Sequence, residues 1–176
     1  MAARGILASL LAFLMTGCWV GNAFYTAKDA SQPIAPGIYK IVAQYPADQK
    51  IEEAEMRVGP GAGSATVFDD GDKPTVLLLV RLSGVPDRYI AQQLIDKDDR
   101  SVPQAQYLLF EVRPRGFRMS VPMCEKTART VSALKVKVTG DTVKICTFSD
   151  APTLETAMKV YAKNPDNWIE LKRIRD

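Results

Sequence analysis

Three groups of residues in this 176-residue chain have types and spacings that bear on chemistry. The first is Ser132-Ala133-Leu134-Lys135, the spacing of a serine nucleophile served by a lysine one helical turn away. That arrangement needs a helix. Leu134, Val136 and Val138 instead alternate as a strand does, and residues three apart on a strand face opposite sides. The second group is acidic. Glu111, Asp141 and Asp150 are candidate carboxylates for a histidine-free hydrolase of the glycosidase type, although no spacing brings two of them together. Asp69-Asp70-Gly71-Asp72 and Asp96-Lys97-Asp98-Asp99 offer oxygen ligands for calcium, but neither is followed by a glutamate at the spacing a twelve-residue calcium loop uses. Aspartate and glycine in a turn already have a local role in backbone hydrogen bonding. No metal and no cofactor is therefore expected.

The third group is basic. If Gly140-Asp141 is a two-residue hairpin loop, Val138 faces Val143, Val136 faces Ile145, and Lys137 stands opposite Lys144 with Lys135 on the same face. Arg113, Arg115 and Arg118 gather around a second hairpin tip, and Lys172, Arg173 and Arg175 lie near the C-terminus. Exposed lysines on strands ordinarily keep sheet edges from aggregating, and that is the favoured reading. The functional alternative is a face for an anionic partner such as a lipid headgroup, a glycan phosphate or an acidic protein surface.

Composition narrows the classes. The chain has no histidine, which excludes imidazole bases, histidine triads and histidine metal sites. Its 23 basic and 20 acidic residues are interspersed, so the net charge of +3 does not point to nucleic acid. With 47% apolar residues it can bury one sizeable core.

The N-terminus reads as an address. Arg4 precedes an apolar run of about ten residues, short of the roughly twenty that span a bilayer, and small residues follow at Thr16-Gly17-Cys18. Leu14-Met15-Thr16-Gly17-Cys18 resembles the lipobox of bacterial lipoproteins. The resemblance implies cleavage before Cys18 and acylation of that residue, a lipid anchor such as palmitate included. Trp19 rather than aspartate after the cysteine resembles the pattern of proteins sent to the outer membrane, facing the periplasm. Assigning Cys18 to lipid leaves Cys124 and Cys146 as an even pair in an oxidising compartment, where they are expected to form a disulfide.

The elements that must position these residues follow from pattern. Residues 1–17 read as signal peptide, 18–36 as a tether between lipid and domain, and 37–176 as a single β-rich domain. Strand signals fall at 37–42, 65–68, 75–82, 89–95, 107–113, 117–121, 134–138, 142–146 and 168–171, separated by turn residues, with 59–64 read as a loop. One helix is predicted, capped by Ser149-Asp150, carrying Leu154, Ala157, Met158 and Tyr161 on one face and ended by Asn164-Pro165. The fold class is β-rich α+β: an antiparallel meander of about 7–9 short strands, a sandwich or partly open barrel, with a C-terminal amphipathic helix and a final strand. The stretch from Tyr107 through Cys124 and Cys146-Thr147-Phe148 into that helix resembles bacterial envelope proteins of unassigned activity. The expected function is a non-catalytic, lipid-anchored envelope protein that binds or scaffolds an envelope protein or glycan. The alternatives are a carrier of a small apolar ligand in a barrel-like interior, lined by Tyr25, Tyr39, Tyr89, Tyr107, Phe117 and Trp168, and the carboxylate-dependent envelope hydrolase.

Overall fold

A computed structural model describes residues 19–45, 54–71, 73–95, 104–124, 134, 136–140 and 144–176. Cys18, Ser132, Lys135, Asp141 and the turns at 72 and 96–99 lie outside the described residues. The strands are β1 (Trp19–Gly21), β2 (Gly37–Tyr45), β3 (Glu55–Pro60), β4 (Thr66–Asp69), β5 (Thr75–Arg81), β6 (Arg88–Leu94), β7 (Ala105–Arg113), β8 (Gly116–Ser120), β9 (Lys137–Thr139), β10 (Ile145–Phe148) and β11 (Trp168–Arg175). The helix α1 is Ala151–Tyr161.

Strands β2 to β8 pair with their sequence neighbours, and β11 inserts between β8 and β2, so eight antiparallel strands close into a barrel. The expected meander is therefore present, and it is a closed barrel rather than a sandwich or a partly open one. Register shifts in β11 between Glu170 and Leu171 and between Arg173 and Arg175 bend the closing strand, the device by which a sheet curves onto itself. Eight strands leave an interior just wide enough for side chains to fill. Tyr39, Phe68, Phe110 and Phe117 occupy it, with ring centroids 5.2–5.8 Å apart, together with Ile41, Met56, Val58, Leu77, Leu79, Leu108 and Leu171.

A second core lies on the outside of β6 and β7. Residues 105–110 of β7 are buried on both faces: Leu108 and Phe110 point into the barrel, Tyr107 and Leu109 away from it. The outer side chains pack against Trp19, Tyr25, Phe148, the disulfide and the apolar face of α1, formed by Leu154, Ala157, Met158 and Tyr161. Burial of the Tyr25, Tyr107 and Tyr161 phenols in this core pushes their ionisation upward. Cys124 and Cys146 are bonded and fully buried there, joining the segment after β8 to β10. Asp150 caps α1, accepting from Thr153 N–H at 2.8 Å, and that bond lowers its carboxyl's pKa.

Three expectations need correction. Residues 19–36 are not a tether. Trp19 is 0% exposed in β1, which pairs antiparallel with β7 and parallel with β10. Further along, Gln92 holds Tyr25 by both backbone groups, at 3.0 and 2.9 Å, and Ile34 enters the barrel core. Trp19, Tyr25 and Ile34 fall in a stretch with no sustained apolar period; each is buried by partners far along the chain, so no local pattern announces them. Residues 59–60 close strand β3, which the polar Glu55 and Arg57 disguised, because only Met56 and Val58 face the barrel interior. The β9–β10 register is also not the predicted one: Thr139 pairs with Ile145, Val138 with Cys146, and Lys137 with Thr147. Lys137 does not oppose Lys144. The register follows from Cys146, held by its disulfide and by pairing with Trp19, and the connection is longer than two residues. Gly140 takes a positive φ of 93° there, and Lys144 Nζ donates to its carbonyl at 2.7 Å.

One glycine is required by a close approach. A Cβ on Gly116 would stand 2.0 Å from the Leu171 carbonyl oxygen and 3.1 Å from Lys172 Cα, both backbone atoms of β11. Backbone held in a ladder cannot yield as a side-chain tip does. Gly116→Ala is therefore expected to force β8 from β11 and cost about 1–3 kcal/mol, read as a lower urea midpoint. An unchanged midpoint would contradict this closure of the barrel.

Candidate functional site: an arginine cleft on the barrel wall

The outer wall of the barrel carries a row of alternating charge across four strands. Arg88 of β6 pairs with Glu111 of β7, Glu111 with Arg118 of β8, and Arg118 with Glu170 of β11. These residues share the outward face because their neighbours Phe110, Phe117 and Leu171 point inward. Arg113, two residues beyond Glu111, falls on the same face.

The side chains are tied to one another. Glu111 receives Arg113 Nη2 at 2.5 Å on one carboxylate oxygen and Arg88 Nη2 at 3.2 Å on the other. Arg118 sends Nε and Nη2 to Glu170 Oε2, both at 2.8 Å, and its guanidinium carbon lies 4.0 Å from the centre of the Trp168 ring. Half-exposed ion pairs of this kind stabilise a fold little, so their main consequence here is positional. Each arginine has five N–H donors and spends only part of them on a carboxylate.

Arg88, Arg113 and Arg118 line one cleft of about 240 Å³, whose walls include Leu109, Ser120 and Trp168. Its apolar and hydroxyl-bearing walls sit beside guanidinium groups held in place. Arg113 Nε is buried and has no hydrogen-bond partner among the described residues. A second recess of about 210 Å³ shares Arg113 and continues to Arg115 and Lys172 at the barrel rim. Arg173 N–H donates to the Arg115 carbonyl, bringing the C-terminal strand to the same tip. Arg88, Arg113, Arg115, Arg118 and Lys172 stand against Glu111 and Glu170, five cations to two anions. Such a stripe is suited to an oxyanion, which accepts several charge-assisted hydrogen bonds at once.

Of the basic residues singled out in the sequence, the structure unites Arg113, Arg115, Arg118 and Lys172. It places Lys137 and Lys144 elsewhere, on the β9–β10 hairpin beside the second core. Lys135 lies outside the described residues. Arg88, Glu170 and Trp168 were not picked out as members of this site. The tight hairpin at Pro114-Arg115 does place Glu111 opposite Arg118 by pattern alone. Arg88 and Glu170 join only because β6 and β11 flank that hairpin.

The carboxylates considered for hydrolysis are engaged otherwise: Glu111 in the charge row and Asp150 in the helix cap. Asp69 Oδ1 accepts from Gly71 N–H at 2.9 Å, the local turn role. Among the described residues no group of three acidic or cysteine side chains converges as a metal site. Of the aromatics expected to line a cavity, Tyr39 and Phe117 fill the barrel and Tyr89 packs against that core; Tyr25 and Tyr107 belong to the second core, and Trp168 flanks the cleft. Comparison of the chain with protein-family models, with curated proteins and with solved structures finds no match in any of the three.

Proposed function

We propose that this protein is a non-catalytic, lipid-anchored component of a bacterial envelope that binds an anionic envelope constituent through the arginine cleft. The anchor reading rests on Gly17-Cys18 at the end of a short apolar signal. The binding reading rests on one observation: three arginines, held by Glu111 and Glu170, are fixed side by side on a shaped wall. The guanidinium N–H groups that Glu111 and Glu170 do not engage would give an oxyanion several charge-assisted hydrogen bonds. The carrier reading has the closed barrel in its favour. Against it, Tyr39, Phe68, Phe110 and Phe117 stand in the space a ligand would take.

Two measurements test the two halves. Metabolic labelling with a fatty acid should mark the wild type and not Cys18→Ser; an unlabelled wild type would sink the anchor. Calorimetric titration with inorganic phosphate should show binding that Arg113→Gln weakens about tenfold or more. An affinity unchanged in Arg113→Gln, at an unchanged melting temperature, would remove the cleft from the function.

A further inference from the structure

We infer that the arginine cleft engages the phosphates of anionic lipid headgroups in the same membrane that holds Cys18. This inference rests on the lipid-anchor and anion-cleft reading and names its ligand. The argument begins with β7, whose two edges are fully assigned. Strand β6 covers one edge over Ala105 to Glu111. On the other edge, β1 covers Ala105 to Tyr107 and β8 covers Leu109 to Arg113, end to end.

Trp19, the first residue of β1, pairs with Tyr107, so it stands where β8 finishes at Ser120 opposite Leu109. Leu109 and Ser120 are walls of the cleft. The residue before Trp19 is one Cα–Cα step away, about 3.8 Å. With Trp19 hydrogen-bonded into the sheet and 0% exposed, no tether separates an acylated Cys18 from the barrel wall. From Tyr107, the row Arg88–Glu111–Arg118 is four residues along β7, roughly 13 Å at strand rise.

A lipid on Cys18 therefore brings the cleft to the depth of the headgroups, and it does so without any affinity of the cleft itself. Within about 8–10 Å of an anionic leaflet, basic side chains are drawn to the surface. From the walls shared with the β1 end, the positive stripe runs through Arg118 and Arg113 to Arg115 and Lys172 at the rim. Trp168, under the Arg118 guanidinium, is the side chain most at home between hydrocarbon and water. Charge, an interfacial aromatic and the anchor's point of attachment thus coincide on one face.

The test uses the lipidated protein reconstituted into vesicles of phosphatidylcholine alone or mixed with phosphatidylglycerol, each with brominated acyl chains. The chain has two tryptophans, so comparison with Trp168→Phe isolates the emission of Trp168. Quenching of that emission should be at least about twofold greater in the phosphatidylglycerol vesicles. Removing one charge at the exposed tip by Arg115→Gln, or one in the cleft by Arg113→Gln, should reduce the membrane-docked population about fivefold. Equal quenching in the two vesicles, or quenching indifferent to both substitutions, overturns the inference. If inorganic phosphate binds the cleft while the vesicles quench alike, the ligand is a soluble oxyanion; the lipid assignment falls and the anion-binding reading stands. A wild type without fatty acid removes the anchor and the inference with it.

Discussion

Phe117→Ala is expected to destabilise the protein by about 3–5 kcal/mol, the cost of truncating a fully buried aromatic. Phe117 is 0% exposed and central to the ring cluster, with centroids 5.2 Å from Tyr39, 5.8 Å from Phe68 and 5.6 Å from Phe110. Its strand is hydrogen-bonded to β7 on one side and β11 on the other, so the wall cannot collapse into the space without breaking a ladder. The full cavity term therefore adds to the lost transfer energy. Urea denaturation followed by circular dichroism measures it, with an unchanged slope expected because the folded state keeps its extent. The same experiment bears on the carrier alternative. A loss under about 1 kcal/mol would mean that the ring is loosely packed and that the interior has room for a guest.

The second large effect concerns Cys124–Cys146. Replacing both cysteines by alanine is expected to cost about 3 kcal/mol, the loop-closure contribution for partners 22 residues apart in sequence. Mass spectrometry without reductant should show the bond in the native protein, and two thiols that alkylate without reduction would refute it. The structure adds a spatial prediction. Cys146 pairs in register with Trp19, and three-residue β1 is held only by β7 and β10 among the described strands. Loss of the bond should therefore speed amide exchange at Trp19, Val20 and Gly21 more than in β5 or β6, which have barrel strands on both sides. Equal acceleration throughout would show one cooperative unit rather than a barrel with a separately pinned flank. If the anchor reading holds, loosening β1 also restores the slack between lipid and domain that the native protein lacks.

Patterns contained within one element or one turn were legible in the chain. Runs of apolar, β-branched and aromatic residues at 75–82 and 107–113, bounded by turn residues, marked β5 and β7. Pro114-Arg115 marked the hairpin between β7 and β8, and the α1 cap, apolar face and stop were all local signals. Cysteine parity anticipated the disulfide. A short polar connection and a strand twist by amounts that neighbouring residues dictate, so these features need no knowledge of the rest of the fold. The β9–β10 register was different. Its local cue, Gly140-Asp141, was outweighed by Cys146, which Trp19 and Cys124 hold from more than twenty residues away.

Tertiary structure alone decided closure and the part of the site that lies beyond the β7–β8 hairpin. Nothing in Trp168 to Arg175 says that this strand will lie between β8 and β2, because edge pairing satisfies backbone groups whatever their sequence. Once it does, Glu170 meets Arg118, and closure on the β6 side brings Arg88 to Glu111. The same holds for Trp19, which looked like the start of a tether until the outer face of β7 gave it a place to be buried. The chain determined which residues were basic, apolar or bonded. Which of them became neighbours was set by barrel closure, since antiparallel pairing brings together residues as far apart in sequence as Tyr45 and Trp168 as readily as those beside a turn.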